Sequence, residues 1–135
     1  MKKKIYKTIT AGVAMVFSVA SIVEGTKVLF GISQPDYIVF TPLLVYNVIM
    51  GVIGVFGGVI LWMNHRRALT LVTTIAVVHF FVLLLIVAVH RLSGTVALDS
   101  VQAMILRSLI WGFIAVITWK NSKSDKIYVG KYDPI

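Results

Sequence analysis

Four polar side chains interrupt four apolar runs at similar depth: Glu24, Asn47, His79 and Arg107. An ionisable side chain inside a bilayer costs at least ~2.5 kcal/mol on insertion scales, so each needs a physical reason. At ~1.5 Å per residue from the polar ends of their runs, all four lie roughly 8–17 Å deep on the same side. One shared cluster accounts for that better than four separate intrusions. Arg107 stays protonated and requires an anion. Glu24 is the one carboxylate within an apolar run, so the two are expected to pair. His79 can donate to Glu24 or, as a neutral ring, accept from Arg107, and Asn47 offers both a donor and an acceptor. Lys27, one turn beyond Glu24, can snorkel outward or form an i,i+3 pair with it. Together Glu24, Lys27, Asn47, His79 and Arg107 make a candidate ligand or proton site open to the outer face. Its ligand would be a quinone headgroup, a lipid or a small anion. The same residues also suit a structural network that fastens four helices, or polar contacts to an oligomer partner.

The histidines allow a further reading. His79 and His90 are eleven residues apart and share a helix face, as in membrane proteins that carry haem at two levels. Each haem would need a second axial ligand. His65 lies at the opposite membrane surface, so a homodimer would have to supply it. Beside Arg91, His90 reads more simply as an interfacial histidine. His65 beside Arg66 and Arg67 reads as a headgroup contact. Three metal ligands do not occur at one depth, although Glu24 and His79 can contribute two. No serine-nucleophile motif, glycine-rich phosphate loop or paired carboxylates mark a catalytic centre.

The elements that must hold these residues follow from hydropathy and punctuation. Residues 42–63 contain no charged side chain and are long enough to cross a ~30 Å hydrocarbon core as a helix. Thr41 can cap this helix, and Pro42 suits its first turn. Asn47, Gly51, Gly54 and Gly58 recur on one stripe, which predicts a seam where another helix approaches closely. A basic leader precedes the first run, and Ser18-Val19-Ala20 resembles a signal-peptidase site. The apolar run continues beyond it to Gly31, which favours a retained first helix over 9–30. A third helix is expected over 67–91, ended at Ser93-Gly94. A fourth is expected over 100–119, with Asp99 and Gln102 resembling a capping box. Residues 120–135 read as a polar cytoplasmic tail.

The chain has 135 residues, 59% hydrophobic and 13% charged, about half the charged share of a soluble domain. Such a composition leaves room for one membrane domain and no separate soluble one. The expected fold is therefore all-α: an integral membrane four-helix bundle, up-down-up-down. The net charge of +8 does not point to nucleic acid, because the basic residues cluster at the ends of apolar runs. There they orient the chain and meet membrane lipids. Ten of them fall on the side of the N-terminus, against Arg91 alone on the other. That predicts both termini in the cytoplasm, in the cytoplasmic (inner) membrane of a bacterium. The absence of Cys removes disulfide and thiolate chemistry.

Two stretches carry a family resemblance. Glu24-Gly25-Thr26-Lys27-Val28-Leu29-Phe30-Gly31 resembles the Gly-x-x-Lys-Leu end of helix one in the DoxX-like family of small membrane proteins. The glycine-rich run from Gly51 through Gly54 and Gly58 to Leu61, followed by Arg67-Ala68-Leu69, is similar to its second helix and the start of its third. Many members carry a Glu near the position of Gly54, where this chain has none. The resemblance implies a four-helix bundle, in some members a subunit of membrane-linked sulfur or quinone redox systems, and implies no defined activity for this chain.

Overall fold

In a bilayer every backbone N–H and C=O must be bonded within the chain, so long apolar runs become helices. The computed structural model describes residues 2–129. They form α1 (Lys2–Leu29), α2 (Thr41–Trp62), α3 (Ala68–Ser93) and α4 (Leu98–Val129). Each is long and apolar enough to cross a membrane. Large apolar side chains such as Phe56, Phe81 and Phe113 point away from the bundle, as lipid contact requires.

The helix ends are set by local chemistry, and several differ from the sequence expectation. Gly94 follows α3 in the left-handed conformation (φ 65°), and its N–H bonds back to the carbonyl of His90. Glycine takes this backbone without a Cβ clash. Phe40, rather than Thr41, occupies the N-cap of α2 and makes no side-chain cap; Pro42 does sit in the first turn. The capping box at Asp99 is not formed as expected, because α4 begins at Leu98 and places Asp99 inside the first turn. Helix α1 starts at Lys2 instead of residue 9. Helix α4 continues to Val129, through ten residues expected as tail. The chain has no Gly or Pro between Gly112 and Gly130, so a helix once nucleated meets no breaker there. Residues 130–135, the rest of the expected tail, lie outside the described residues.

Lys7, Leu61, Ala68 and Thr118 border one cavity. The start of α1, the end of α2, the start of α3 and the later part of α4 therefore share one end of the bundle, and successive helices run antiparallel. We refer to this as the terminal end; the 30–40 link and the 94–97 turn lie at the distal end. Helix α1 packs chiefly on α2, and α3 on α4; the two hairpins meet along α1–α4 and α2–α3.

The α1–α2 contact is built from small residues on both sides. Ala11, Ala14, Ser18, Ser21 and Gly25 form a buried stripe on α1. It faces Gly51, Gly54 and Gly58. A Cβ at Gly51 would lie 2.7 Å from Ile22 Cγ1 and 3.0 Å from the carbonyl oxygen of Ser18. At Gly54 it would collide with Ser18 Oγ and come 2.8 Å from Trp111 Cζ2. Without a hydrophobic drive between helices in lipid, such close backbone approach gains the dispersion contacts that hold them. Two apolar clusters fill the bundle. One, toward the terminal end, centres on Ile75, Trp111 and Ile114; the other, distal, on Ile86, Val96 and Met104. Tyr46 packs against both.

Candidate functional site

Between the two clusters the helices bring polar groups together. His79 of α3 is 2% exposed. Its Nδ1 lies 2.9 Å from the hydroxyl of Tyr46 on α2. The two rings meet edge to face, with centroids 5.6 Å apart. The other side of the imidazole stacks on Trp111 of α4, 6.3 Å away and inclined by 27°. Ser108 Oγ donates to the backbone carbonyl of His79 at 3.2 Å. Side chains of α2 and α4 thus converge on one histidine of α3.

Beside it are three buried polar atoms without a hydrogen-bond partner: Ser18 Oγ, Asn47 Oδ1 and Arg107 Nε. Each such group in a low-dielectric interior costs roughly 1–3 kcal/mol when left unsatisfied. All three residues, with His79 and Trp111, line a cavity of about 10 Å³. That is room for one water-sized body, which needs two to four polar partners. Two donors and an acceptor are at hand: Ser18 Oγ–H, Arg107 Nε–H and Asn47 Oδ1.

A larger cavity of about 200 Å³ lies on the distal side of this cluster. Ser21, Asn47 and Arg107 border both spaces, so they form the floor of the one and the rim of the other. Glu24 and Tyr37 border the larger cavity, together with apolar Phe40 and Leu43. Arg107 makes no ion pair with a carboxylate among the described residues.

The structure therefore corrects one expectation directly. Glu24 does not pair with Arg107. Its side chain is 68% exposed and lies 3.2 Å from Lys27 Nζ, one turn along α1. The reason is rotational. Ser21 and Gly25 face inward on α1, and Glu24 is turned about a quarter of the helix circumference from Gly25. Lys27 satisfies it there without desolvating either charge. Glu24 also makes no bond to His79, whose partner is Tyr46. Of the five candidate residues, Asn47, His79 and Arg107 come together around the small cavity. Glu24 stands with Arg107 only at the larger one, and Lys27 joins through Glu24.

Tyr46, Ser21 and Trp111 border the site and were not singled out in the sequence, and Ser18 was read there only as part of a signal-peptidase-like stretch. Two signals were present. Trp111 is four residues after Arg107, on the same face of α4, and Ser18 and Ser21 continue the small-residue stripe of α1. The haem reading fits poorly, since the free space beside His79 admits one water and not a porphyrin. His90 Nδ1 donates to the carbonyl of Val96 at 2.6 Å, which fastens the α3–α4 turn. No group of three metal-ligating side chains occurs among the described residues. Comparison with protein-family models, curated proteins and solved structures finds no match to this chain.

Proposed function

We propose that this chain is a small polytopic membrane protein, both termini cytoplasmic, that binds the polar head of a membrane-dissolved ligand in the distal cavity. The observation that carries the reading is Arg107. A guanidinium held inside an apolar bundle with no carboxylate partner is costly, and a ligand anion or carbonyl oxygen relieves that cost. Asn47 adds a polar group at the same floor, and Phe40 and Leu43 supply apolar wall for a ring or chain. A lipid, a quinone or a small anion meets these demands. An accessory role in membrane redox chemistry, of the kind the DoxX-like resemblance implies, is compatible with a quinone there.

Organic extraction of the purified protein, followed by mass spectrometry, tests the reading. Wild-type protein should retain an acidic or carbonyl-bearing amphiphile, or bind an added one, and Arg107→Met should lose it. Wild-type protein that neither retains nor binds such a molecule would refute the proposal.

A second reading, a purely structural cluster, is favoured by the bonds Tyr46 and Ser108 make to His79, which link α2, α3 and α4. Tyr46→Phe separates the two. Hydrogen bonds of this kind within membrane bundles contribute about 0.6 kcal/mol on average and up to about 1.7. A structural cluster predicts that loss of stability with ligand retention unchanged. A ligand site whose floor is organised by Tyr46 predicts weaker retention as well.

A further inference from the structure

Side chains of all four helices meet at the small cavity: Ser18 of α1, Asn47 of α2, His79 of α3 and Arg107 of α4. Ser18 is its unusual member. It is 2% exposed. A hydroxyl on a helix in an apolar setting commonly bonds to a carbonyl one turn back. Thr10, Ser21 and Thr26 of α1 do so, at 2.9, 3.0 and 2.7 Å. Ser18 Oγ makes no such bond. Its oxygen projects across the seam, into room that Gly54 of α2 leaves open, since a Cβ on Gly54 would collide with it.

The three unpartnered atoms select what fills the cavity. Arg107 Nε carries one N–H and cannot accept, the Ser18 hydroxyl can donate, and Asn47 Oδ1 can only accept. A halide would satisfy the first two and leave Oδ1 facing an anion. A metal cation would satisfy Oδ1 and face the guanidinium. Water accepts two hydrogen bonds and donates a third, and about 10 Å³ is room for one molecule.

We infer that the small cavity is a single-water site. Its water accepts from Arg107 Nε–H and Ser18 Oγ–H and donates to Asn47 Oδ1. Through that water Ser18 is a positioning residue for Arg107. The guanidinium is planar and rigid, so holding Nε fixes its plane and the directions of its terminal nitrogens. Arg107 also borders the distal cavity, and Ser18 does not. The water is independent of any ligand, whereas the positioning step rests on the ligand reading of the distal cavity.

Nuclear magnetic resonance of the full-length protein in detergent, labelled with ¹⁵N-arginine and free of ligand, tests the water. Arg107→Met identifies the Arg107 Nε–H signal among the four arginines of the chain. In wild-type protein this proton should show a nuclear Overhauser effect to water, of the sign that distinguishes a long-lived water from hydrogen exchange. Ser18→Ala should abolish it and move the signal. Alanine is smaller than serine and the better helix former, so the seam accepts it. No effect to water in the wild type would mean a dry cavity and overturn the proposal. A signal that shifts when bromide replaces chloride would mean a halide and overturn it too. Binding of oleate, with oleyl alcohol as its uncharged counterpart, tests the positioning. One net hydrogen bond is worth about fivefold in affinity, so Ser18→Ala should weaken oleate binding about fivefold. Oleyl alcohol, which brings no charge to Arg107, should change by less than about twofold, well short of one such bond. Equal weakening of both would mean a loosened bundle and overturn the positioning role. Wild-type protein that shows the water and binds no oleate would overturn the positioning step and leave the water in place.

Discussion

Arg107 is the residue that carries the proposed function, and its partner decides how substitutions behave. Breaking a buried ion pair by removing one member costs about 3–5 kcal/mol, because the other charge is stranded. Glu24 is not that member. Its pair with Lys27 is exposed, and exposed pairs contribute about 0–1 kcal/mol. Glu24→Gln should therefore change unfolding stability in detergent by less than about 1 kcal/mol. In ligand-stripped protein, Arg107→Met should be neutral or stabilising, since it removes a partly buried charge that pairs with no carboxylate among the described residues and fills the space with an apolar side chain. The double variant should equal the sum of the singles within about 0.5 kcal/mol. A large loss in each single variant with recovery in the double would show that the two charges do pair. Chemical denaturation monitored through Trp111, buried beside His79, reads all three variants.

At the scale of the element, the two hairpins differ in how they are joined. The α1–α2 pair is close because neither helix presents bulk at the seam, so even a methyl group should be felt there. Gly54→Ala should cost about 1–3 kcal/mol, because its Cβ meets Ser18 and the Trp111 ring. Gly12→Ala is the matched control. Gly12 lies in α1, where an added Cβ would meet no atom within 4 Å, and alanine is the better helix former by about 1 kcal/mol. It should be neutral or stabilising. Thermal unfolding of the two variants side by side checks the seam, and equal behaviour would place Gly54 on a lipid-facing side. Trp111 also gives Gly54 a second role, because the absent side chain leaves space for the indole that stacks on His79. Packing of the seam and geometry of the site are thus coupled through one ring.

At the scale of the molecule, the terminal cavity and the distal cavity lie at opposite ends, and the core around Ile75, Trp111 and Ile114 occupies the length between the terminal cavity and the cluster at His79. The packed core separates these two cavities. In the proposed orientation, with both termini cytoplasmic as the charge distribution predicts, the terminal cavity would face the cytoplasm and the distal cavity the outside. The chain contains no Cys, so single cysteines report position cleanly. Cysteine at Asp36 or Ser93 should react with an impermeant thiol reagent in intact cells, and cysteine at Lys123 should react only after lysis. The reverse pattern would invert the orientation and exchange the faces of the two cavities.

The number of helices, their apolar character and the small-residue stripe through Gly51, Gly54 and Gly58 were legible in the sequence. These properties are local: hydropathy, breakers and spacing act within a single run. Depth was legible too, because it is a count of residues along a helix axis, and it placed Asn47, His79 and Arg107 at one level. Rotation about that axis was not legible. Each helix is apolar nearly all round, since its outer face meets lipid and its inner face meets other helices, so periodicity carries little sign of which side turns inward. Glu24 shares the depth of Arg107 and still faces the surface, while Tyr46, next to Asn47 in the chain, turns in to meet His79. Only the packing of four helices against one another, led by the small residues between α1 and α2, decided those angles and with them the partners of each polar group.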